Sequence, residues 1–166
     1  MVVSIRPYRE SDFDTVTLCF SKGLGCPFGA LLAVSQNQYT RARKLKQIMG
    51  GALRQSGMMA AAALYSLENH IQRLSQDHDN ATRLGLALSD IKPLVVEQVP
   101  QRTNMVFFEL PDRFSPQAFS EALQAEGVRV SQMQRQRFRA VTHMNVTQGD
   151  IDTAVQAFSR VCAALK

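Results

Sequence analysis

The sequence predicts an α/β chain that ends in an α+β lobe, and three patterns indicate this. Residues 14–20 and 29–34 are short and rich in β-forming side chains, which favours two strands. From residue 58 to 88, apolar side chains recur at every third or fourth position, the spacing of one buried face of a long helix. From residue 94 onward, strand and helix periods alternate, which predicts a compact β-β-α-β-β-α lobe.

Glycine and proline mark the expected ends of the front elements. Residues 23–29 must turn, because glycine tolerates φ > 0 and proline removes a backbone donor. Residues 38–47 are basic and sparsely apolar, which predicts an exposed helix that ends at Gly50.

In the lobe, residues typical of helix starts and ends mark the two expected helices. Ser115 followed by Pro116 is typical of an N-cap and first helical position, and that helix should end at Gly127. Thr147 and Asp150, three residues apart, have the spacing of a capping box that opens a final helix. The strands of the lobe are expected at residues 94–99, 103–110, 128–131 and 138–144.

Composition bounds the class of protein. The chain has 166 residues, of which 45% are hydrophobic and 20% charged, as in a globular protein. No apolar run approaches the roughly 20 residues that cross a bilayer, and the first residues lack the apolar core of a signal peptide. The three cysteines are scattered and lack metal-ligand spacing, so we expect reduced thiols, packed as small hydrophobic residues, in a cytoplasm.

The net charge of +5 leaves two interpretations open. Clustered basic residues can mark a nucleic-acid surface. They can also be a solvated helix face with a few anion-binding arginines, and we favour this second interpretation. The basic residues concerned are Arg41, Arg43, Lys44, Lys46, Arg129, Arg135, Arg137 and Arg139.

Lys22 is the candidate catalytic residue. It follows an apolar strand and lies between Ser21 and Gly23 at the start of a glycine-rich turn. An amine kept away from water becomes a nucleophile for carbonyl groups, and Gly23 would let a flat cofactor approach the backbone. Ligands of α/β sheets favour the carboxyl ends of strands, where this lysine is expected.

Residues 21–32, with a second glycine cluster at 50–57, resemble the active-site region of low-specificity L-threonine aldolases. These are pyridoxal 5'-phosphate enzymes of fold type I, the aspartate-aminotransferase-like class. The similarity continues in the same order at residues 65–67, 77–81, 103–105 and 139–143. Several matched blocks over most of the chain make a specific signal.

The resemblance implies roles for four residues. Lys22 matches the lysine that carries the cofactor as a Schiff base, with Ser21 beside the cofactor. Arg54 matches an arginine that reaches the cofactor phosphate of a neighbouring subunit. Arg139 matches the arginine that holds the substrate carboxylate, a task suited to a bidentate guanidinium group. The implied reaction cleaves β-hydroxy-α-amino acids, such as threonine, into glycine and an aldehyde.

The resemblance also implies that part of the enzyme is missing. The family places its phosphate-binding turn, its stacking histidine and the aspartate at the ring nitrogen ahead of the lysine, where this chain has 21 residues. We therefore expect residues 1–57 to be a remnant of the cofactor-binding large domain, 58–88 a long connecting helix and 89–166 a small C-terminal α+β domain. Such a chain should be inactive or weak alone, and should form a homo-oligomer or associate with an intact subunit.

Two other classes of function remain as alternatives. Residues 4–13 are similar to the opening of acetyl-CoA-dependent N-acetyltransferases, and residues 54–59 come near their acetyl-CoA loop, although Met59 replaces a small residue. The other alternative is a non-catalytic interaction module that binds a protein subunit or a nucleic acid through its basic face.

Overall fold

The structure is a computed structural model that describes residues 13–97 and 103–164. The described chain forms two compact units, the first ending at Leu74 and the second beginning at Ser75. Residues 4–12 of the acetyltransferase-like head lie outside the described residues. Within the part of the chain that is described, none of the helices combines the length and apolarity that a bilayer crossing needs.

Unit 1 opens with a hairpin of strands β1 (Thr15–Cys19) and β2 (Ala30–Val34). The strands pair antiparallel, with Thr15 opposite Val34 and Cys19 opposite Ala30. Helices α1 (Gln36–Ile48) and α2 (Gly57–Asn69) follow. The two predicted strands and the basic helix are therefore confirmed to within two residues at each end.

Helix α3 (Leu74–Ser89) begins after a turn, so the prediction of one uninterrupted helix over 58–88 is wrong. Asn69 and His70 are weaker helix formers than the residues before them. The His70 ring also donates from Nδ1 to the carbonyl oxygen of Leu24 at 2.7 Å, which ties the end of α2 to the glycine-rich turn. The spacing of apolar residues in the sequence continues across this break, because Ile71 and Leu74 also pack against the core of unit 1.

Unit 2 contains the predicted lobe. Its strands are β3 (Val95–Val96), β4 (Met105–Glu109), β5 (Ser131–Gln134) and β6 (Arg137–Val141), in an antiparallel sheet of order β3-β4-β6-β5. Helices α4 (Pro116–Ala125) and α5 (Gln148–Ala164) complete it. The β-β-α-β-β-α order is confirmed.

The core of unit 2 lies between one face of the sheet and helices α4 and α5. Phe108 of β4 contacts three other aromatic rings, with centroid separations of 5.5–6.2 Å. Those rings belong to Phe119 of α4, Phe138 of β6 and Phe158 of α5, and all four side chains are fully buried. Alternate residues of β4 and β6 supply this core, so the intervening residues of both strands face away from the helices.

Strand β5 begins at Ser131, where the strand predicted at 128–131 was expected to end. The preceding residues close helix α4 instead of pairing, since Val128 donates its backbone N–H to the carbonyl oxygen of Leu123 at 2.9 Å. Gly127 makes this possible with a φ of 82°, as the sequence predicted. The apolar residues Val128 and Val130 pack against the core without forming a strand.

Candidate functional site

The turn that carries Lys22 is held by its own backbone. Gly25 donates its N–H to the carbonyl oxygen of Lys22 at 2.9 Å, and Cys26 donates to Phe20 at 3.0 Å. Gly25 has a φ of 70°, which an L side chain rarely adopts. Phe20 and Cys26 are buried, so the turn is anchored at both sides of the lysine.

Lys22 itself is exposed, and the expectation that its amine is kept away from water is wrong for this chain. The physical reason is the hairpin around it: four of the five residues in each strand are exposed, so the described residues form no layer of side chains over these strands. Within residues 13–97 and 103–164, the ammonium group of Lys22 forms no ion pair.

The space beside Gly23 is occupied by a side chain, so a flat cofactor could not approach the backbone there in this structure. A Cβ built on Gly23 would lie 2.7 Å from Cδ2 of Leu74, which is too close for an ordinary contact. Leu74 belongs to the small core of unit 1, beside Phe20 and Leu24. The lack of a side chain at Gly23 therefore serves packing in this structure, a role that the sequence interpretation did not include.

Ser21 lies in the same turn as Lys22 and faces a thiol. Its Oγ is 3.3 Å from Sγ of Cys19, and this hydrogen bond, with one from the Ser21 backbone and the charge of Lys22, lowers the pKa of Cys19. Cys26 and Cys162 are buried, as expected, but Cys19 is only half-buried. The sequence interpretation missed Cys19, whose position two residues before a serine and three before a lysine was the available signal.

Arg54 occupies an exposed turn before α2. The next residue, Gln55, has a φ of 51°, so the chain changes direction sharply here. Arg54 makes no ion pair with the residues that the structure describes.

Arg139 lies at the centre of β6, on the sheet face opposite the helices. Its register partners are Phe107 of β4 and Ser131 of β5. The Nε atom of Arg139 is buried and has no hydrogen-bond partner in the described part of the chain. A buried N–H without an acceptor is costly, so this position suits an incoming anion.

The structure thus brings Ser21 and Lys22 into one turn, and leaves Arg54 and Arg139 on separate elements. Lys22, Ser21 and Arg54 belong to unit 1, whereas Arg139 belongs to unit 2. A shallow apolar depression in unit 2 contains none of these four residues. It is lined by Pro93, Leu110, Phe114 and Cys162.

Comparison with protein families gives a match over residues 2–111 to the beta-eliminating lyase family. The probable low-specificity L-threonine aldolase 2 of Arabidopsis thaliana is 31% identical over 89% of this chain and 42% of its own. The low specificity L-threonine aldolase of Escherichia coli K12 is 36% identical over 81% of this chain and 39% of its own. The chain therefore spans less than half the length of these relatives.

Solved structures show the same fold. A putative L-allo-threonine aldolase from Listeria monocytogenes matches with a TM-score of 0.73 and 17% identity, over 91% of this chain and 45% of the other. A serine palmitoyltransferase from Sphingomonas wittichii matches with a TM-score of 0.75 and 16% identity, over 94% and 42%. The predicted fold class, part of a fold type I enzyme, is confirmed.

Proposed function

Because this chain belongs to the beta-eliminating lyase family, we propose that it is the C-terminal portion of a threonine aldolase-like lyase that uses pyridoxal 5'-phosphate. The single observation that supports this best is the run of sequence similarity to threonine aldolases over most of the chain. The proposed substrate class is the β-hydroxy-α-amino acids, which are cleaved to glycine and an aldehyde.

The residues present fit some of the contacts that this cofactor needs. Lys22 offers an amine for its aldehyde, at the end of a strand and in a turn whose backbone is fixed. Ser21 offers a hydroxyl beside that amine, and Arg54 offers a phosphate a guanidinium group that forms no ion pair with the described residues. When bound, the cofactor supplies an electron sink for cleavage of the bond between Cα and Cβ.

Arg139 has the surroundings of a carboxylate-binding residue. Its buried Nε lacks an acceptor in the described residues, and its neighbours in register are an aromatic ring and a hydroxyl, neither of them charged. A bidentate carboxylate would satisfy this group and orient an amino acid through its α-carboxylate.

We further propose that the chain is inactive or weak by itself. Lys22 is exposed, whereas a lysine that attacks a carbonyl group is normally removed from water. The relatives are more than twice as long, so a protein segment equivalent to their remaining part would have to cover Lys22. Association with an intact subunit or another copy of the chain, in a cytoplasm that keeps the free cysteines reduced, is part of this proposal.

The exposed apolar surface of unit 1 favours one second candidate, a non-catalytic module that binds an intact subunit. Leu32 of β2 and Ile48 of α1 are 53% and 69% exposed, a large amount for apolar side chains on ordered elements. This candidate predicts association without any covalent attachment of the cofactor.

Borohydride reduction in the presence of pyridoxal 5'-phosphate tests the proposal. The reduced cofactor should be found by mass spectrometry on the peptide that contains Lys22, and Lys22→Arg should abolish it. Lys44→Arg, a change of another exposed lysine in the same unit, is the matched control and should leave the labelling of Lys22 unchanged.

The experiment is repeated with the N-terminal portion of the Escherichia coli relative added as a separate chain. We expect labelling of Lys22 to increase and glycine release from threonine to appear. Absence of a pyridoxyl adduct on Lys22 under both conditions would overturn the proposed function. Binding of the added chain without an adduct would favour the non-catalytic module.

A further inference from the structure

The face of the unit 2 sheet that points away from the helices carries two arginines with different surroundings. Arg137 and Arg139 are two residues apart on β6, and Phe138 between them is fully buried in the core. Because successive side chains of a strand point to opposite faces, both arginines lie on the face away from the helices.

Arg137 forms an ion pair with Glu97 and stacks on an aromatic ring. Its Nε and Nη2 atoms donate to the two carboxylate oxygens of Glu97, the second at 2.8 Å, and its guanidinium carbon lies 4.5 Å from the ring centroid of Phe107. This pairing lowers the pKa of Glu97 and raises that of Arg137, to which the nearby charge of Glu109 also contributes.

Arg139 has no such partners among the described residues. Its Nε is buried without an acceptor, although one carboxylate, that of Glu109, lies on the adjacent strand β4 and another, that of Glu97, directly follows β3. Neither carboxylate forms an ion pair with Arg139 in the described part of the chain.

In the strand register, Glu97 lies in the same row across the sheet as Arg139, although its side chain binds Arg137. Glu97 donates its backbone N–H to the carbonyl oxygen of Phe107, and Phe107 is the register partner of Arg139. Arg137 belongs to the next row, opposite Glu109. The Glu97 side chain therefore reaches diagonally, and Arg139 lies two strands away in its own row, roughly 10 Å across the sheet.

We propose that Arg137 is a positioning residue that holds the carboxylate of Glu97 away from Arg139, and so keeps Arg139 available for the carboxylate of an amino acid. The stacking of Arg137 on Phe107 fixes the diagonal arrangement, since the ring lies in the row shared by Glu97 and Arg139. Without Arg137, the long side chains of Glu97 and Arg139 could meet across the ring. The inference rests on the proposed role of Arg139 as the substrate-binding arginine.

The test measures carboxylate binding by Arg139 directly, in the full chain and without cofactor. The Nε–H signal of Arg139 is observed by NMR with ¹⁵N-labelled arginine and identified by its loss in Arg139→Lys. Sodium acetate is the probe, titrated against sodium chloride at equal ionic strength. We expect a saturable shift of this signal in the unsubstituted protein.

Arg137→Ala should weaken acetate binding at Arg139 about threefold, the effect expected of one competing ion pair near the surface. Arg137→Gln, which keeps part of the side chain over Phe107, should act in the same direction and guards against a folding defect in the alanine variant. The double variant Glu97→Gln with Arg137→Ala should recover the original affinity, because the competing carboxylate is gone. Arg135→Ala, on the same hairpin, is the matched control for loss of one positive charge and should have little effect.

Unchanged affinity in both Arg137 variants, or a double variant as weak as the single one, would overturn the inference. A signal of Arg139 that does not respond to acetate at all would also overturn it, together with the proposed role of Arg139. The cofactor adduct on Lys22 is measured separately, so that result would leave the lysine part of the proposed function standing.

Discussion

Unit 2 and unit 1 differ in how much apolar surface their own residues can bury. In unit 2 four phenylalanines from two strands and two helices pack together, and further apolar side chains extend this core along α3 and α5. In unit 1, the buried cluster in the described residues consists of Phe20, Leu24 and Cys26. Helix α1 has no buried residue, although it contains Tyr39, Leu45 and Ile48.

This difference shows which of the two units can form a stable core from its own residues. A four-stranded sheet covered by helices closes its own core, whereas a two-stranded hairpin is marginally stable without further strands or layers. The proposed catalytic lysine lies at the end of that hairpin, and the proposed carboxylate-binding arginine lies on the well-packed sheet. The proposed chemistry at Lys22 therefore requires a covering layer that the described residues of unit 1 do not form.

The largest expected effect is in the core of unit 2. Phe108→Ala should lower the free energy of unfolding by about 3–5 kcal/mol, because it removes the ring that contacts three others and leaves a cavity. Phe28→Ala in unit 1, where the ring is 42% exposed, should change it by less than about 0.5 kcal/mol. Urea unfolding followed by circular dichroism measures both; equal effects would contradict the comparison.

Hydrogen exchange should separate the two units in the unsubstituted protein. Backbone amides of the β1–β2 pair, such as that of Thr17, should exchange at least about 100-fold faster, after correction for intrinsic rates, than that of Phe138 in β6. Equal protection would show that the hairpin is as stable as the covered sheet. Addition of the N-terminal portion of a relative should slow the hairpin amides and leave those of β6 unchanged, if the proposed association occurs.

Gly23→Ala should loosen the glycine-rich turn. The new Cβ would meet Leu74 at 2.7 Å, and relief of this overlap should cost about 1–2 kcal/mol. Faster exchange of the Cys26 amide, which bonds to Phe20, reports the change. Gly57→Ala is the control, since open space surrounds that position and the substitution should be neutral or slightly stabilising. Leu74→Val should restore part of the protection lost in Gly23→Ala.

The smallest effect concerns the capping box of α5, which the sequence predicted. Thr147 donates its backbone N–H to Asp150, which donates its own N–H to the Thr147 hydroxyl, so Thr147→Ala should cost about 1 kcal/mol. The same bonds lower the pKa of Asp150. Its stabilising contribution is therefore present above the ordinary carboxyl pKa, near about pH 4, and is lost as the pH falls through the lower folded value.

Thermal unfolding between pH 2 and 5 checks this sign. The difference in Tm between the unsubstituted protein and Asp150→Asn should be largest near pH 5 and shrink as the medium becomes acidic. A difference that stays constant over this range would mean that the Asp150 charge does not stabilise the helix start.

Local signals made most of the fold predictable from the sequence. Ser115 accepts a hydrogen bond from the backbone of Ala118, and Pro116 occupies the first helical position, as their order predicted. Such signals act within one turn of the chain, so they need no knowledge of distant residues. The strand at Ser131 was misplaced because Val128 and Val130 are apolar for packing and not for pairing. The break after Asn69 was missed because the bond from His70 to Leu24 joins residues far apart in sequence.

In the candidate site, too, the sequence predicted some features and contacts between distant residues decided the others. The sequence singled out Lys22 through its strand and glycine-rich turn, and the resemblance to threonine aldolases added Ser21, Arg54 and Arg139 together with the fold type I class. Their surroundings came from tertiary structure alone: Lys22 is exposed, Leu74 fills the space at Gly23, and Glu97 binds Arg137, while Arg139 forms no ion pair with the described residues. Burial and ion pairing depend on which distant segments meet, and spacing along a chain does not contain that information.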